Sequence, residues 1–298
     1  MKNHAVEPSF GGEVVRAHGR HYIVQLADGS EIQAYPRGKK SLVACGDHVL
    51  VQRSGNDQGV IEAVDPRRTL LYRSDKFKQK LIAANVTQLA VVIASTPSFY
   101  DELITRCLVA ASQQGLRALI VLNKSDLAAE TKTAMRRLQV YLDLNYRVAP
   151  LSALSDASPL RPYLKGERTV LAGQSGMGKS TIINALLPEA KASVGHISLA
   201  LDSGRHTTTY AQLYRLDEES SIIDSPGLQE FGLAHVTQEE LVGAFPEFRP
   251  HLGQCRFTNC LHLTEPGCAI TADTAVNEAR LRAYQKLTRE RQASANKY

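Results

Sequence analysis

No apolar run in this 298-residue sequence approaches the ~20 residues that a membrane-spanning helix requires. The opening segment, residues 1–8, also lacks the apolar core of a secretory signal peptide. The five cysteines are odd in number and mostly scattered, so they do not indicate a set of disulfides. We therefore expect a cytoplasmic protein that does not act at a membrane.

The charge balance is only mildly basic. The chain has 35 lysines and arginines against 30 acidic residues, a formal net charge of +5. This excess permits contact with a polyanion, but it is equally typical of an ordinary, slightly basic enzyme. The length is sufficient for more than one globular domain.

Short β-rich segments fill the stretch between residues 12 and 65, separated by turn sequences such as Asp28-Gly29 and Cys45-Gly46-Asp47. They predict a small closed barrel in residues 1–68. We favour an OB-fold that binds RNA, with an SH3-like structural barrel as the alternative. The basic residues of this region form either a phosphate-facing rim or merely solvated surface: Arg16, Arg20, Arg37, Lys39 and Lys40.

The pattern changes at Leu81, after a polar and basic stretch, residues 69–80, that we interpret as a linker. Continuous apolar runs at 88–94 and 117–122 alternate with helical patterns at 103–114 and 131–142. Strands that are buried on both faces and alternate with helices predict a mainly parallel α/β sheet. We assign this domain to residues 69–233.

A glycine-rich loop gives the most specific signal in the sequence. It follows an apolar strand, precedes a helical pattern and fits G-x-x-x-x-G-K-[ST], reading Gly173-Gln174-Ser175-Gly176-Met177-Gly178-Lys179-Ser180, with Thr181 next. Its backbone amides and the following helix N-terminus are expected to bind phosphates. Lys179 should reach the β- and γ-phosphates, and the Ser180 hydroxyl should bind Mg²⁺.

A second motif, Asn123-Lys124-Ser125-Asp126, ends an apolar strand, where α/β sheets bind ligands. The Asp126 carboxylate can accept hydrogen bonds from guanine N1 and N2, which adenine cannot supply. Asn123 and Lys124 are expected to brace the loop and cover the base. The sequence thus predicts a site for GTP and GDP.

Three further segments fit the same site. Ser152-Ala153, after the next strand, can offer a backbone amide to guanine O6. Asp224 and Gly227 form D-x-x-G, in which Asp224 would hold Mg²⁺ through water and the Gly227 amide would contact the γ-phosphate. Thr208, in the run Gly204-Arg205-His206-Thr207-Thr208-Thr209, is the favoured threonine ligand of Mg²⁺, with Thr207 and Thr209 as alternatives.

The motifs occur in permuted order, because the base-reading tetrapeptide precedes the phosphate loop. Leu228 follows Gly227 where many GTPases place a water-orienting glutamine, so we expect slow intrinsic hydrolysis. His206 is either a water-positioning group or an exposed loop residue. The candidate catalytic residues are His206, Lys179 and Thr208.

The C-terminal part, residues 234–298, contains Cys255-x4-Cys260-x-His262-x5-Cys268. Three thiolates and one imidazole predict a closed, structural zinc site in a mainly helical domain. A basic helix at 277–291 follows, with Leu281, Tyr284 and Leu287 on one face. That face either packs on the domain or contacts RNA or a protein.

Together, the permuted nucleotide motifs, the Cys/His set and the barrel resemble the circularly permuted family of small-ribosomal-subunit-dependent GTPase A, RsgA. The resemblance implies binding to the small ribosomal subunit and ribosomal RNA through the barrel and zinc domain, and we expect the protein to be a monomer. It also implies GTP hydrolysis on the subunit late in its maturation, followed by release, and it favours a catalytic role for His206. The alternatives are a GTPase with another client and a scaffold that binds GTP without turnover.

Overall fold

The structure is a computed structural model that describes residues 9–38, 42–55, 57–74, 79–190, 210–225, 233 and 235–295. Within these ranges, no helix is both long enough and apolar enough to cross a membrane. Thirteen β-strands and seven α-helices are described.

The N-terminal barrel consists of five strands: β1 (Ser9–His18), β2 (His21–Leu26), β3 (Glu31–Pro36), β4 (His48–Arg53) and β5 (Gln58–Val64). They pair in the order β1-β2-β3-β5-β4, and pairing of β4 with β1 closes the barrel. Alternate residues point inward, because successive side chains of a strand face opposite sides. Val14, Val24 and Val51 are completely buried in the barrel core. The predicted barrel is confirmed.

The predicted linker at 69–80 is wrong, because this region contributes to a β-hairpin of β6 (Leu70–Ser74) and β7 (Gln79–Ala84). Its polar residues suggested a linker, but Leu71 and Ile82 are buried in the core of the adjacent α/β sheet. Burial of one face against a core is sufficient to hold a hairpin that also carries polar side chains.

The central sheet contains β8 (Gln88–Ala94), β9 (Arg117–Asn123), β10 (Arg147–Pro150), β11 (Arg168–Ala172), β12 (Ala211–Arg215) and β13 (Ser221–Asp224). The strand order is β10-β9-β8-β11-β13-β12, and only β12 is antiparallel to its neighbour β13. The predicted mainly parallel sheet is confirmed.

Helices cover both faces of this sheet: α1 (Asp101–Gln113), α2 (Ala128–Asp143), α3 (Arg161–Leu164) and α4 (Lys179–Leu186). Alternate β8 residues show the two-sided packing. Leu89 and Val91 pack in one core with α1 and α2, whereas Ala90 and Val92 pack in the other with α3 and α4. A strand buried in this way reads as a continuous apolar run.

The barrel and the central sheet form one continuous sheet of eleven strands. Strand β1 pairs antiparallel with β12, with Arg16 opposite Gln212. The buried Glu13 carboxylate pairs with Arg168 at 2.6 Å and also with Arg215. A buried carboxylate requires such partners, so these ion pairs tie β1 to β11 and β12.

The C-terminal part contains α5 (Gln238–Gly243), α6 (Ala269–Ala272) and α7 (Glu278–Ala295), with a 3-10 segment at Pro246–His251. Phe245, Phe248 and Tyr284 are fully buried together in its core. The apolar face of the predicted basic helix therefore packs on its own domain. Arg280 on the same helix is buried and donates to Glu247 at 2.8 Å.

Candidate functional site

The predicted nucleotide motifs lie at one edge of the central sheet. Strands β8, β9, β10, β11 and β13 run parallel, so the loops that follow them emerge at the same edge. The tetrapeptide at 123–126 begins at the end of β9, and the glycine-rich loop joins β11 to α4. Ser152-Ala153 follows β10, and Asp224 ends β13.

The glycine-rich loop requires its glycines. Gly173 and Gly178 have φ values of +147° and +92°, which other residues rarely adopt. A Cβ atom on Gly173 would collide with the carbonyl oxygen of Val92, and one on Gly178 would collide with the Asn123 amide. The loop is thus packed closely against the ends of β8 and β9.

Lys179 lies at the start of α4, where its ammonium donates to the carbonyl oxygens of Gly173 at 2.6 Å and Gln174 at 2.9 Å. Burial lowers the pKa of Lys179, an effect that the nearby Asp224 carboxylate opposes. Burial likewise raises the pKa of Asp224, against the influence of Lys179. Each charge is therefore partly desolvated and faces one of opposite sign.

The buried side chain of Asn123 links three of the predicted motifs. Its amide nitrogen donates to the carbonyl oxygen of Met177 at 3.0 Å. Its amide oxygen accepts from the backbone N–H of Ala153 at 3.0 Å. The tetrapeptide, the glycine-rich loop and the Ser152-Ala153 turn therefore meet in one place.

The other residues of the tetrapeptide face outward to different degrees. Lys124 donates from its ammonium to the carbonyl oxygen of Thr96 at 2.8 Å. The Ser125 N–H donates to the carbonyl oxygen of Leu151 at 3.0 Å. The Asp126 side chain is exposed and accessible to a ligand.

Some of the remaining predicted residues lie in the described part of the chain, and the others lie outside it. Ser175 and Gly176 are exposed, whereas Ser152, Gln174, Ser180 and Thr181 are half-buried. His206, Thr208, Gly227 and Leu228 lie outside the described residues.

The predicted metal ligands also come together. The candidate ligand atoms of Cys255, Cys260, His262 and Cys268 all lie within 4.8 Å of one another. His262 Nδ1 is 3.5 Å from the sulfur of Cys255 and 3.4 Å from that of Cys268, and these two sulfurs are 3.9 Å apart. Bonds of about 2.3 Å to a tetrahedral ion would separate sulfurs by about 3.8 Å. The cluster can hold a metal ion.

Hydrogen bonds from the surrounding chain fix the cluster. The Ala269 N–H donates to the Cys255 sulfur at 3.4 Å. The Glu265 carboxylate accepts from the backbone N–H groups of Leu261 and Leu263 at 2.9 and 2.8 Å. On α7, the Gln285 amide donates to the carbonyl oxygen of Leu263 at 2.8 Å. These contacts hold the ligand loops in place.

Comparisons with known proteins agree with this arrangement. The family model described as RsgA GTPase matches residues 64–234. A protein of Nitrosospira multiformis named small ribosomal subunit biogenesis GTPase RsgA is 53% identical over 283 residues, which cover 94% of this chain and 90% of the relative. The chain belongs to the RsgA GTPase family. A Burkholderia pseudomallei relative of the same name is also 53% identical, with 94% of this chain and 91% of the relative covered.

Two solved structures share this architecture. YjeQ from Thermotoga maritima is 30% identical with a TM-score of 0.73, covering 96% of this chain and 99% of YjeQ. YloQ, described as a circularly permuted GTPase, is 25% identical with a TM-score of 0.68, covering 98% of each chain. The predicted permutation is confirmed, and as a member of this family the chain is a GTPase.

Sequence reasoning missed two features of this GTPase. Ser95 and Thr96, which follow β8, contact the tetrapeptide directly but match no motif. Their position at the end of a parallel strand was the one signal that could have identified them.

The second feature concerns the barrel arginines. Arg16 is paired with Glu31, Arg37 is paired with Glu62 at 2.6 Å, and Arg20 donates to the carbonyl oxygen of Gly38. The two ion pairs offset part of the positive charge of this basic set, of which Lys39 and Lys40 lie outside the described residues.

Proposed function

We propose that this GTPase acts in late maturation of the small ribosomal subunit, where it binds the subunit, hydrolyses GTP to GDP and phosphate, and dissociates. The names of its relatives support the small ribosomal subunit as the partner, and the contacts of Asn123 support nucleotide binding. Because Asn123 bonds both Met177 and Ala153, a nucleotide can contact the base-reading and phosphate-binding loops at the same time.

This arrangement supports the proposed nucleotide contacts. Asp126 reads guanine, the Asn123 and Lys124 side chains support the base loop, and the Ser152-Ala153 turn faces guanine O6. The loop from Gly173 to Thr181 binds the phosphates through its backbone amides, and Lys179 neutralises their charge.

Mg²⁺ would be held by Ser180, Thr208 and, through water, Asp224, and it would neutralise charge on the β- and γ-phosphates. Gly227 would contact the γ-phosphate. The proximity of Asp224 to Lys179 supports the ligand set, because it places a carboxylate beside the phosphate-binding lysine.

His206 is proposed to position the attacking water, since the apolar side chain of Leu228 cannot accept or donate a hydrogen bond. We expect slow turnover by the free protein and acceleration when the subunit orders the segments that carry His206 and Thr208. The His206→Ala variant should retain nucleotide affinity but lose phosphate release.

The metal in the Cys/His cluster is proposed to be one structural Zn²⁺. Three thiolates and an imidazole suit zinc, and four protein ligands leave no open position for catalysis. The ion would supply folding energy to loops that have few apolar residues of their own. The barrel and this zinc domain would contact ribosomal RNA and the subunit, and we expect a cytoplasmic monomer.

The decisive experiment measures GTP turnover alone, with purified small subunits, with large subunits, and with excess ATP as competitor. We expect acceleration by small subunits only and no inhibition by ATP. Equal rates under all conditions would remove the ribosomal proposal. Acceleration by a different client would favour the alternative that the GTPase serves another process.

A further inference from the structure

Lys124 has an unusual backbone conformation for its residue type. Its φ is +61°, and among the described residues only three others apart from glycine have positive φ values: Asn85, Asn145 and His262. Asparagine tolerates the left-handed region because its side chain can bond locally, but lysine lacks that compensation. The surrounding structure must therefore hold Lys124 in place.

Ser95, directly after β8, supplies this support. Its hydroxyl donates to the carbonyl oxygen of Lys124 at 2.8 Å, and its backbone N–H donates to that of Asn123 at 3.1 Å. The Lys124 ammonium donates to the carbonyl oxygen of Thr96, the residue after Ser95. Ser95 and Thr96 thus contact both the backbone and the side chain of Lys124.

The carbonyl oxygen that Ser95 binds also closes the turn that presents Asp126. The backbone N–H of Leu127 donates to the same Lys124 oxygen at 3.1 Å, so Asp126 lies within this closed turn. Ser95 therefore anchors the turn without contacting the base-reading carboxylate.

The end of β9 is consequently supported from both neighbouring strands. Strand β9 lies between β8 and β10. On the β10 side, Leu151 and Ala153 bond Ser125 and Asn123. On the β8 side, Ser95 bonds Lys124. The β10 support includes Ala153 of a recognised motif, whereas the β8 support depends on a residue outside the motifs.

We propose that Ser95 is a positioning residue for guanine selectivity. This inference rests on the proposed function, in which Asp126 reads the base. A carboxylate can engage both guanine N1–H and N2–H only if the turn holds it in a narrow range of positions. Hypoxanthine has no N2 amino group, so its binding depends less on that alignment.

The test compares the affinities of the full-length chain for GDP and IDP, whose base is hypoxanthine, by displacement of a fluorescent GDP analogue. We expect Ser95→Ala to raise the Kd for GDP about three- to tenfold, the effect of one net hydrogen bond. The Kd for IDP should rise less, so the selectivity ratio, which is the Kd for IDP divided by the Kd for GDP, should fall. Ser95→Thr retains the hydroxyl and should restore the ratio.

Ser98→Ala is the matched control. Ser98 lies in the same loop, but its hydroxyl accepts from Arg137 at 2.7 Å and makes no contact with the tetrapeptide. This variant should keep the wild-type ratio.

The outcomes separate this inference from the function on which it rests. A wild-type chain that binds GDP and IDP equally well would overturn the assignment of Asp126, and this inference with it. A wild-type preference for GDP that persists in Ser95→Ala would overturn the role of Ser95 alone, whatever that variant's melting temperature.

Discussion

Replacing Asn123 by alanine removes the two hydrogen bonds that join the nucleotide loops. The carbonyl oxygen of Met177 and the N–H of Ala153 would then lose their partners, in a region where Asn123 itself is buried. A buried polar group left unpaired costs about 1–3 kcal/mol, so the pair costs about 2–6 kcal/mol. We expect this cost to be divided between folding stability and nucleotide affinity.

If half of the cost appears in binding, the Kd for GDP rises about 5- to 150-fold. Titration with a fluorescent GDP analogue measures this change, and thermal unfolding of the nucleotide-free chain measures the remainder. Asn184→Ala is the matched control, because Asn184 lies on α4 and its amide oxygen has no hydrogen-bond partner among the residues that the structure describes. A lower melting temperature with unchanged affinity would show that Asn123 is only a packing residue.

Other substitutions test separate parts of the structure. Gly178→Ala should lower stability by about 1–3 kcal/mol and weaken nucleotide binding, because Gly178 has a positive φ and the new Cβ would collide with Asn123. Unchanged urea unfolding and unchanged GDP affinity would contradict this prediction. Cys260→Ser should reduce bound zinc below one equivalent by elemental analysis and lower the melting temperature, while GDP affinity stays at the wild-type value. Arg280→Met should lower the free energy of unfolding by about 3–5 kcal/mol in urea, because it leaves the largely buried Glu247 without its partner. A loss below about 1 kcal/mol would show that water replaces the arginine.

The sequence predicted features whose signals are local. The glycine-rich loop could be recognised because the strand before it, the glycines and the helix after it are consecutive in the chain. The barrel strands and the Cys/His set also have short-range patterns. Asn123 and the loop that contains Met177 were both predicted to belong to the site, but the hydrogen bond between these two residues, which are 54 positions apart, has no local signal.

The ion pairs of the barrel and the β6–β7 hairpin were also not predicted, because both depend on residues that are distant in the chain. Arg16 seemed available to bind phosphate, but β2 and β3 bring Glu31 to it from 15 positions away. The hairpin of β6 and β7 was not predicted because the stretch at 69–80 is largely polar and basic. Its Leu71 and Ile82 are buried only because the neighbouring sheet offers them a surface.

The pairing of β1 with β12 has a practical consequence for the design of shorter proteins. A GTPase fragment cut away from the barrel would leave β12 as an outermost strand of the sheet, with the backbone groups that face β1 at Ala211 and Gln212 open to solvent. An exposed edge strand of this kind pairs with strands of other molecules and promotes aggregation. Besides any role in binding RNA, the barrel covers this edge, so biochemical work on the GTPase is best done with the barrel attached.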